Sequence, residues 1–164
     1  MSESQVSRTW LLHDDAHTRL AGEVLAQALL KLPTDKPLLV TLQGELGAGK
    51  TTLVSGLLRG LGHVGRVPSP TYTLIESYDL ADRRVAHLDL YRLTDPQQLE
   101  DLGWRDLLQP SAIVLIEWPE RAGRLLSAPD VSISLSYGQD GVGRQLELSA
   151  NSETYRQLID SIDF

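Results

Sequence analysis

The chain has no cysteine. That excludes disulfides, thiolate zinc sites and cysteine nucleophiles, and it is compatible with a reducing cytoplasm, the compartment expected here. Long hydrophobic runs are missing as well. The longest uninterrupted aliphatic stretch covers residues 112–116, far short of the ~20 residues that span a bilayer, so no membrane segment is expected. Met1-Ser2-Glu3-Ser4-Gln5 has neither a basic nor an apolar leader region, so no signal peptide is expected. Lysine is scarce: only Lys31, Lys36 and Lys50 occur. With 15 basic and 22 acidic residues the formal net charge is −7. A free-standing nucleic-acid binder carries a basic face. Here the arginines are scattered apart from Arg83-Arg84, so no direct, tight binding to DNA or RNA is expected. What remains is ordinary: 41% apolar and 23% charged residues over 164 positions, enough for one domain spanning residues 1–164 with its own core.

Residues 44–52 read Gly-Glu-Leu-Gly-Ala-Gly-Lys-Thr-Thr. Gly44, Gly49, Lys50 and Thr51 fill the fixed positions of the phosphate-loop pattern G-x-x-x-x-G-K-[ST]. A short apolar run (residues 37–42) precedes the loop. Leu53, Leu57 and Leu58 follow it at helical spacing. Glycines let such a loop wrap so that backbone N–H groups face phosphate oxygens. A helix starting near Gly49 adds the positive end of its dipole. Lys50 can reach the outer phosphates, and the Thr51 hydroxyl can ligate magnesium. Nucleoside triphosphate binding by Gly44, Glu45, Leu46, Gly47, Ala48, Gly49, Lys50, Thr51 and Thr52 is therefore the first expectation.

The rest of the chain reads as alternating elements. A first strand is expected over residues 9–13, then a helix over 16–32 with Leu20, Val24 and Ala28 beside Ala21, Leu25, Leu29 and Leu32, ended by Pro33. The phosphate-loop helix runs to about Leu61, and a Gly/Pro-punctuated loop covers 62–70. Residues 71–80 and 84–93 predict an antiparallel hairpin. A short helix opens at Asp95-Pro96-Gln97, and residues 104–108 add a helical turn. A buried strand over 111–116 precedes a short helix over 119–126. Residues 131–137 and 144–149 form a second hairpin, and a C-terminal helix covers about 152–162. This order predicts an α/β fold of the P-loop NTPase class, a mixed sheet flanked by helices.

Other residues could carry chemistry. Glu117 ends the aliphatic strand, where α/β ligand sites lie and where a magnesium ion needs an acidic group. It could instead cap the following helix. In a strand, His87, Asp89 and Tyr91 share one face, with Leu88 and Leu90 on the other. Asp89 could hold a magnesium-bound water or orient an attacking water; it could also lie on a solvated outer face, paired with Arg92 or another cation. Ser69-Pro70-Thr71 follows the phosphate-loop helix, either as a loop sensing the γ-phosphate or as an ordinary turn. The four histidines lack metal-ligand spacing; His13 and His17 have no third partner. Trp10 and Trp104 read as core or partly buried aromatics. Asp140-Gly141-Val142-Gly143 matches a GTPase string, but it falls in a late turn and no guanine motif accompanies it.

Four segments together, residues 44–52, Ser-Pro-Thr-Tyr-Thr-Leu at 69–74, His-Leu-Asp-Leu-Tyr-Arg-Leu at 87–93 and Ile-Glu-Trp-Pro-Glu-Arg at 116–121, resemble the TsaE (YjeE) family. The resemblance covers about residues 9–150. It implies a bacterial ATPase required for threonylcarbamoyladenosine modification of tRNA, with ATP and Mg2+ as ligands. By resemblance Lys50 and its loop bind ATP, while Thr51, Glu117 and Asp89 serve the metal. Lys50, Asp89 and Glu117 are then the catalytic set. Thr71 belongs to the switch loop, Trp118 lies beside the nucleotide, and Arg144 is a nucleotide contact on the late hairpin. The implied partners are TsaB and TsaD, with tRNA met through that complex, in keeping with the acidic charge. Two rival readings use the same loop: a small-molecule kinase, and a binding module gated by ATP.

Overall fold

The computed structural model describes residues 6–164, so the reading of residues 1–5 as lacking a leader lies outside the described residues. In chain order the elements are β1 (Val6–Leu12), α1 (Asp15–Leu29), β2 (Leu38–Gln43), α2 (Lys50–Gly60), β3 (Ile75–Asp79), β4 (Arg84–Asp89), α3 (Gln97–Asp101), β5 (Ile113–Glu117), β6 (Val131–Tyr137), β7 (Arg144–Ala150) and α4 (Glu153–Asp160). Tight 3-10 turns cover Trp104–Leu107 and Pro119–Leu125. The strands form one sheet in the order β1-β7-β6-β2-β5-β4-β3. Its centre is parallel: β2 lies between β5 and β6, and β4 flanks β5. Its edges are antiparallel, through the β3–β4 and β6–β7 hairpins and the pairing of β1 with β7. The expected α/β fold with a mixed, helix-flanked sheet is the fold observed.

Strand alternation divides the core. Leu38, Val40, Leu42, Ile113 and Leu115 face α1 and α2. Leu39, Val114, Ile116, Ala86 and Leu88 face the opposite layer with Leu99, Trp104 and Ala122. The same parity turns Val85, His87 and Asp89 of β4 toward the α2 layer. Both faces of β4 are covered, so His87 is fully buried.

Helices α1 and α2 pack with almost no side chain between their backbones. A Cβ on Gly56 would stand 1.9 Å from Arg19 O, and one on Gly22 would stand 2.3 Å from Leu53 O. Asp14 caps α1 by accepting from His17 N at 2.7 Å. Past the other end the buried Arg83 guanidinium donates to Leu32 O at 2.7 Å, a carbonyl of the turn that follows the helix. Helix α4 lies on β7 and β1, where Arg8 Nη1 donates to the carbonyls of Ile159, Asp160 and Ile162 and Trp10 meets Phe164 edge-on.

Several boundaries differ from expectation. β1 covers Val6–Leu12 among the described residues, ending one residue short of His13. The first helix ends at Leu29, because Lys31 and Leu32 tighten into i→i−3 bonds before Pro33. Leu20, counted among its apolar positions, is 53% exposed. The first hairpin is shorter than residues 71–80 and 84–93: Pro70 O accepts from Leu74 N, Leu74 takes φ 65°, and only then does β3 begin. β4 stops at Asp89, so Tyr91 lies beyond the strand. Ser111, at φ 66°, delays β5 to Ile113, and the strand runs on through Glu117. The expected helix over 119–126 is a 3-10 segment broken at Gly123. Helix α4 ends at Asp160. Among the described residues, no helix is long and apolar enough to cross a membrane.

The α1–α2 contact sets the position of the loop that opens α2. Gly56→Ala should force the helices apart and cost about 3 kcal/mol, the upper end for overpacking. Leu20→Gln, on the exposed face, should stay within about 0.5 kcal/mol. Urea denaturation of the two variants checks the contrast, and equal midpoints would refute it.

Candidate nucleotide site

The carboxyl ends of β2, β4 and β5 meet at one side of the sheet, the edge where α/β folds place ligands. The 44–49 loop follows β2, Asp89 ends β4, and Glu117 ends β5 directly opposite Asp89 in register. A cavity of about 460 Å³ opens between them. Lys50, Thr51, Asp89, Glu117 and Trp118 line it, as do Ser69 and Thr71.

The loop is shaped by the chain around it. Gly44 has φ 152°, and a Cβ there would lie 2.4 Å from Leu135 O. Arg144 reaches from β7 to donate from Nε to Ala48 O at 2.9 Å and from Nη2 to Gly47 O at 3.3 Å. Its Nη1 holds the carbonyls of Val142 and Gly143, each at 3.1 Å, and its plane lies 4.5 Å over the Tyr137 ring. Tyr137 Oη donates to Leu46 O at 3.1 Å. Three successive loop carbonyls are therefore pinned by the second hairpin. Because the peptide is planar and trans, fixing Ala48 O turns the Gly49 N–H to the opposite side.

Lys50 is the first residue of α2 and only 5% exposed. Its Nζ donates to Gly44 O, and to Glu45 O at 3.1 Å. The same ammonium stands 4.1 Å from the centre of the Trp118 ring. Burial pulls the Lys50 pKa below the ordinary lysine value; Glu117, Asp89 and Glu120 oppose that shift. Trp118 adopts left-handed dihedrals, φ 56° and ψ 51°, uncommon for a bulky residue, and its ring also meets Tyr91 at 5.0 Å.

The carboxylates are anchored individually. Asp89 Oδ2 accepts from Thr71 Oγ1 at 3.1 Å and Ser69 Oγ at 3.4 Å, while Oδ1 accepts from Tyr91 N at 3.0 Å. Glu117 Oε1 accepts from Thr51 Oγ1 at 3.1 Å and lies 2.8 Å from His87 Nε2. Thr51, Glu117 and Asp89 offer a hydroxyl and two carboxylates, the hard oxygen donors that suit magnesium and not a soft metal. A buried ammonium beside an open cavity suits an anion. The residues present therefore fit a nucleoside triphosphate with its magnesium ion.

A family model described as "Threonylcarbamoyl adenosine biosynthesis protein TsaE" matches residues 12–146. The chain belongs to the TsaE family. A TsaE protein of Haemophilus influenzae, described as a tRNA threonylcarbamoyladenosine biosynthesis protein, is 43% identical over 155 residues, covering 94% of this chain and 97% of its own. The TsaE of Nostoc is 41% identical over 124 residues, covering 73% of this chain and 75% of that one. That of Bacillus subtilis is 32% identical over 123 residues, covering 75% and 76%. The crystal structure of Bacillus subtilis YdiB matches in fold, with TM-score 0.77, 24% identity and coverage of 97% of this chain and 95% of that one.

Within this TsaE chain the segments singled out in the sequence converge. Asp89 is not paired with Arg92, whose guanidinium instead covers the Tyr72 ring at 4.3 Å. Glu117 does not cap the following turn, which has no side-chain cap. Ser69 and Thr71 are joined to Asp89, more than an ordinary turn requires. Glu45 contributes its carbonyl to Lys50, Leu46 stands 66% exposed at the mouth, and Thr52 lines the wall. Arg144 reaches the cavity but commits its donors to loop carbonyls. His13 and His17 lie with rings 5.3 Å apart, and His17 Nδ1 accepts from His13 N. Sequence reasoning gave no role to His87, Tyr137 or Arg83. His87 carried one signal, its parity with Asp89.

The loop's outer bracing makes a specific demand on Arg144. Arg144→Met keeps an apolar stem on Tyr137 and removes the donors. It should speed hydrogen exchange of the Gly47 to Gly49 amides by about tenfold while α2 stays protected, and lower stability by roughly 1–3 kcal/mol. Unchanged loop exchange would show that the guanidinium does not brace the loop.

Proposed function

We propose that the chain is a Mg-dependent ATPase acting in tRNA threonylcarbamoyladenosine biosynthesis together with TsaB and TsaD. Family membership supports the role in that pathway. One observation carries the chemistry: Lys50, Thr51, Asp89 and Glu117, from three separate segments, line a single cavity beside a glycine loop. The Lys50 ammonium would hold the β- and γ-phosphates as a point charge. Thr51, Glu117 and Asp89 would hold a magnesium ion, which supplies charge neutralisation when bound. Asp89 would orient a water for in-line attack. The new P–O bond forms from that water, the bond to the bridging oxygen breaks, and ADP leaves. Ser69 and Thr71, tied to Asp89, would report the loss of the γ-phosphate.

The acidic chain, at −7, favours meeting tRNA through partners and not directly. ATP and tRNA are cytoplasmic, so this reading implies that compartment. Hydrolysis would reset the partner complex between rounds of modification.

Reconstitution with TsaB, TsaD, the adenylate-forming enzyme and tRNA tests the reading. Modified adenosine should accumulate over many turnovers with ATP, and stop at about one round with a non-hydrolysable analogue. Full multiple turnover with the analogue would instead favour an ATP-gated binding module. Lys50→Ala should weaken nucleotide binding by at least about tenfold, the loss of one charged contact. Asp89→Ala should bind ATP but lower turnover by about 100-fold or more. Unchanged turnover in Asp89→Ala would remove Asp89 from the mechanism.

A further inference from the structure

The His87 ring is fully buried in the middle of β4, between aliphatic neighbours. Its Nε2 lies 2.8 Å from Glu117 Oε1. A carboxylate oxygen accepts, so Nε2 carries the proton and donates. Nδ1, also buried, has no hydrogen-bond partner among the described residues. Leaving that nitrogen unpaired in a dry interior is costly, and an apolar side chain of similar size would fill the space without it. Packing alone does not account for a histidine here.

The direction of its one bond does. Glutamate is the most loosely defined of the site's ligands, because its terminal torsion is broad. Two donors converge on the same oxygen, Oε1: the Thr51 hydroxyl at 3.1 Å and the His87 ring. Oε2 receives no hydrogen bond among the described residues, and Glu117 lines the cavity. The carboxylate is thus held by one oxygen with the other left for a ligand. The two donors differ in permanence. Thr51 stands on the cavity wall and is itself a metal donor in the reading above. His87 is behind Glu117, out of reach of the cavity, and its bond need not change when the site fills.

We propose that His87 is a positioning residue that fixes the Glu117 carboxylate by Oε1 and presents Oε2 to the magnesium ion that accompanies the nucleotide. The proposal rests on the Mg-dependent reading under Proposed function. Ligating groups held by an outer hydrogen bond lose about 10- to 100-fold in metal affinity when that bond is removed.

The test is calorimetric, on the full chain, with the β,γ-imido analogue of ATP titrated with and without MgCl2. Wild type should bind more tightly with magnesium. His87→Met should lose about 10- to 100-fold of that enhancement while its magnesium-free affinity stays within about twofold. His87→Gln, whose side-chain amide can donate toward Oε1, should recover most of the enhancement. A merely structural role would lower both affinities together, or leave both unchanged in a folded variant. Should His87→Met not fold, the wild-type ring decides: labelled imidazole nitrogen should show the proton on Nε2, with a resonance that moves on adding analogue plus magnesium but not analogue alone. A magnesium enhancement kept in full by His87→Met, or a ring resonance blind to magnesium, overturns the proposal alone. A wild type whose nucleotide binding ignores magnesium overturns the magnesium reading and this proposal with it.

Discussion

Two carboxylates buried side by side are the constraint on which this site depends. Asp89 and Glu117 end neighbouring parallel strands in the same register, and they are 4% and 2% exposed. An unpaired charge in such a place costs several kcal/mol, so each carboxylate needs at least one donor. The surrounding chain supplies them one by one. Thr71, Ser69 and the Tyr91 N–H serve Asp89; Thr51 and His87 serve Glu117. The donors come from the loop after α2, from α2 itself, from β4 and from the residues just past β4. Satisfying two carboxylates therefore draws together segments that are distant in sequence, and the local structure at 69–74 is bent to do so. Leu74 is pushed to a positive φ, and β3 begins late, because Ser69 and Thr71 are turned toward Asp89 instead of joining the sheet.

The glycine loop obeys a complementary constraint. Its carbonyls at Leu46, Gly47 and Ala48 are held from outside by Tyr137 and Arg144. Those at Gly44 and Glu45 are held from inside by Lys50. The outside bonds belong to the frame: they come from a hairpin whose strands lie in the sheet. The inside bonds belong to the residue expected to meet phosphate. A ligand that takes the Lys50 ammonium exchanges two neutral carbonyl acceptors for charged oxygens, a stronger hydrogen-bond class. The frame need not move for that exchange. The close approach of α1 and α2 through Gly22 and Gly56 fixes the axis on which Lys50 sits.

Much of this was legible in residue order. The strand, loop and helix over 38–60 follow from a spaced glycine pattern with apolar flanks, and Leu53, Leu57 and Leu58 are buried as their spacing requires. Glu117 was readable as a strand-end acid and Asp89 as an acid on one face of its strand; that β4 stops at Asp89 was not. What was not legible was three-dimensional in origin. The hairpin limits failed because side-chain bonds to Asp89 compete with strand pairing, and no local propensity records a partner eighteen residues away. Leu20 failed because a helix buries a stripe whose orientation is set by the tight glycine contact, not by its own periodicity. Arg83 stood out only as one of an adjacent pair; it is buried where its guanidinium meets the Leu32 carbonyl in the turn after α1, some fifty residues earlier. His87 shared a face with Asp89 in the sequence, but which neighbour it would touch depended on β5 lying beside β4.

The balance of formal charge carries the reading one step further. Three charged groups of the cavity are buried, two carboxylates and one ammonium, while Asp15, Arg92 and Arg144 line it in less buried positions. A bare triphosphate entering that space would be repelled by Asp89 and Glu117 at short range, and at low dielectric such repulsion is strong. Lys50 cannot offset it alone, since burial already works against its charged form. Under the proposed reading, binding would become more favourable when positive charge enters with the phosphates. A divalent cation would do that, and it would convert both carboxylates from repulsive neighbours into ligands. Acidic residues in a phosphate site are then no contradiction. Under the proposed reading they would make binding tighter for the metal-bound nucleotide than for the bare one.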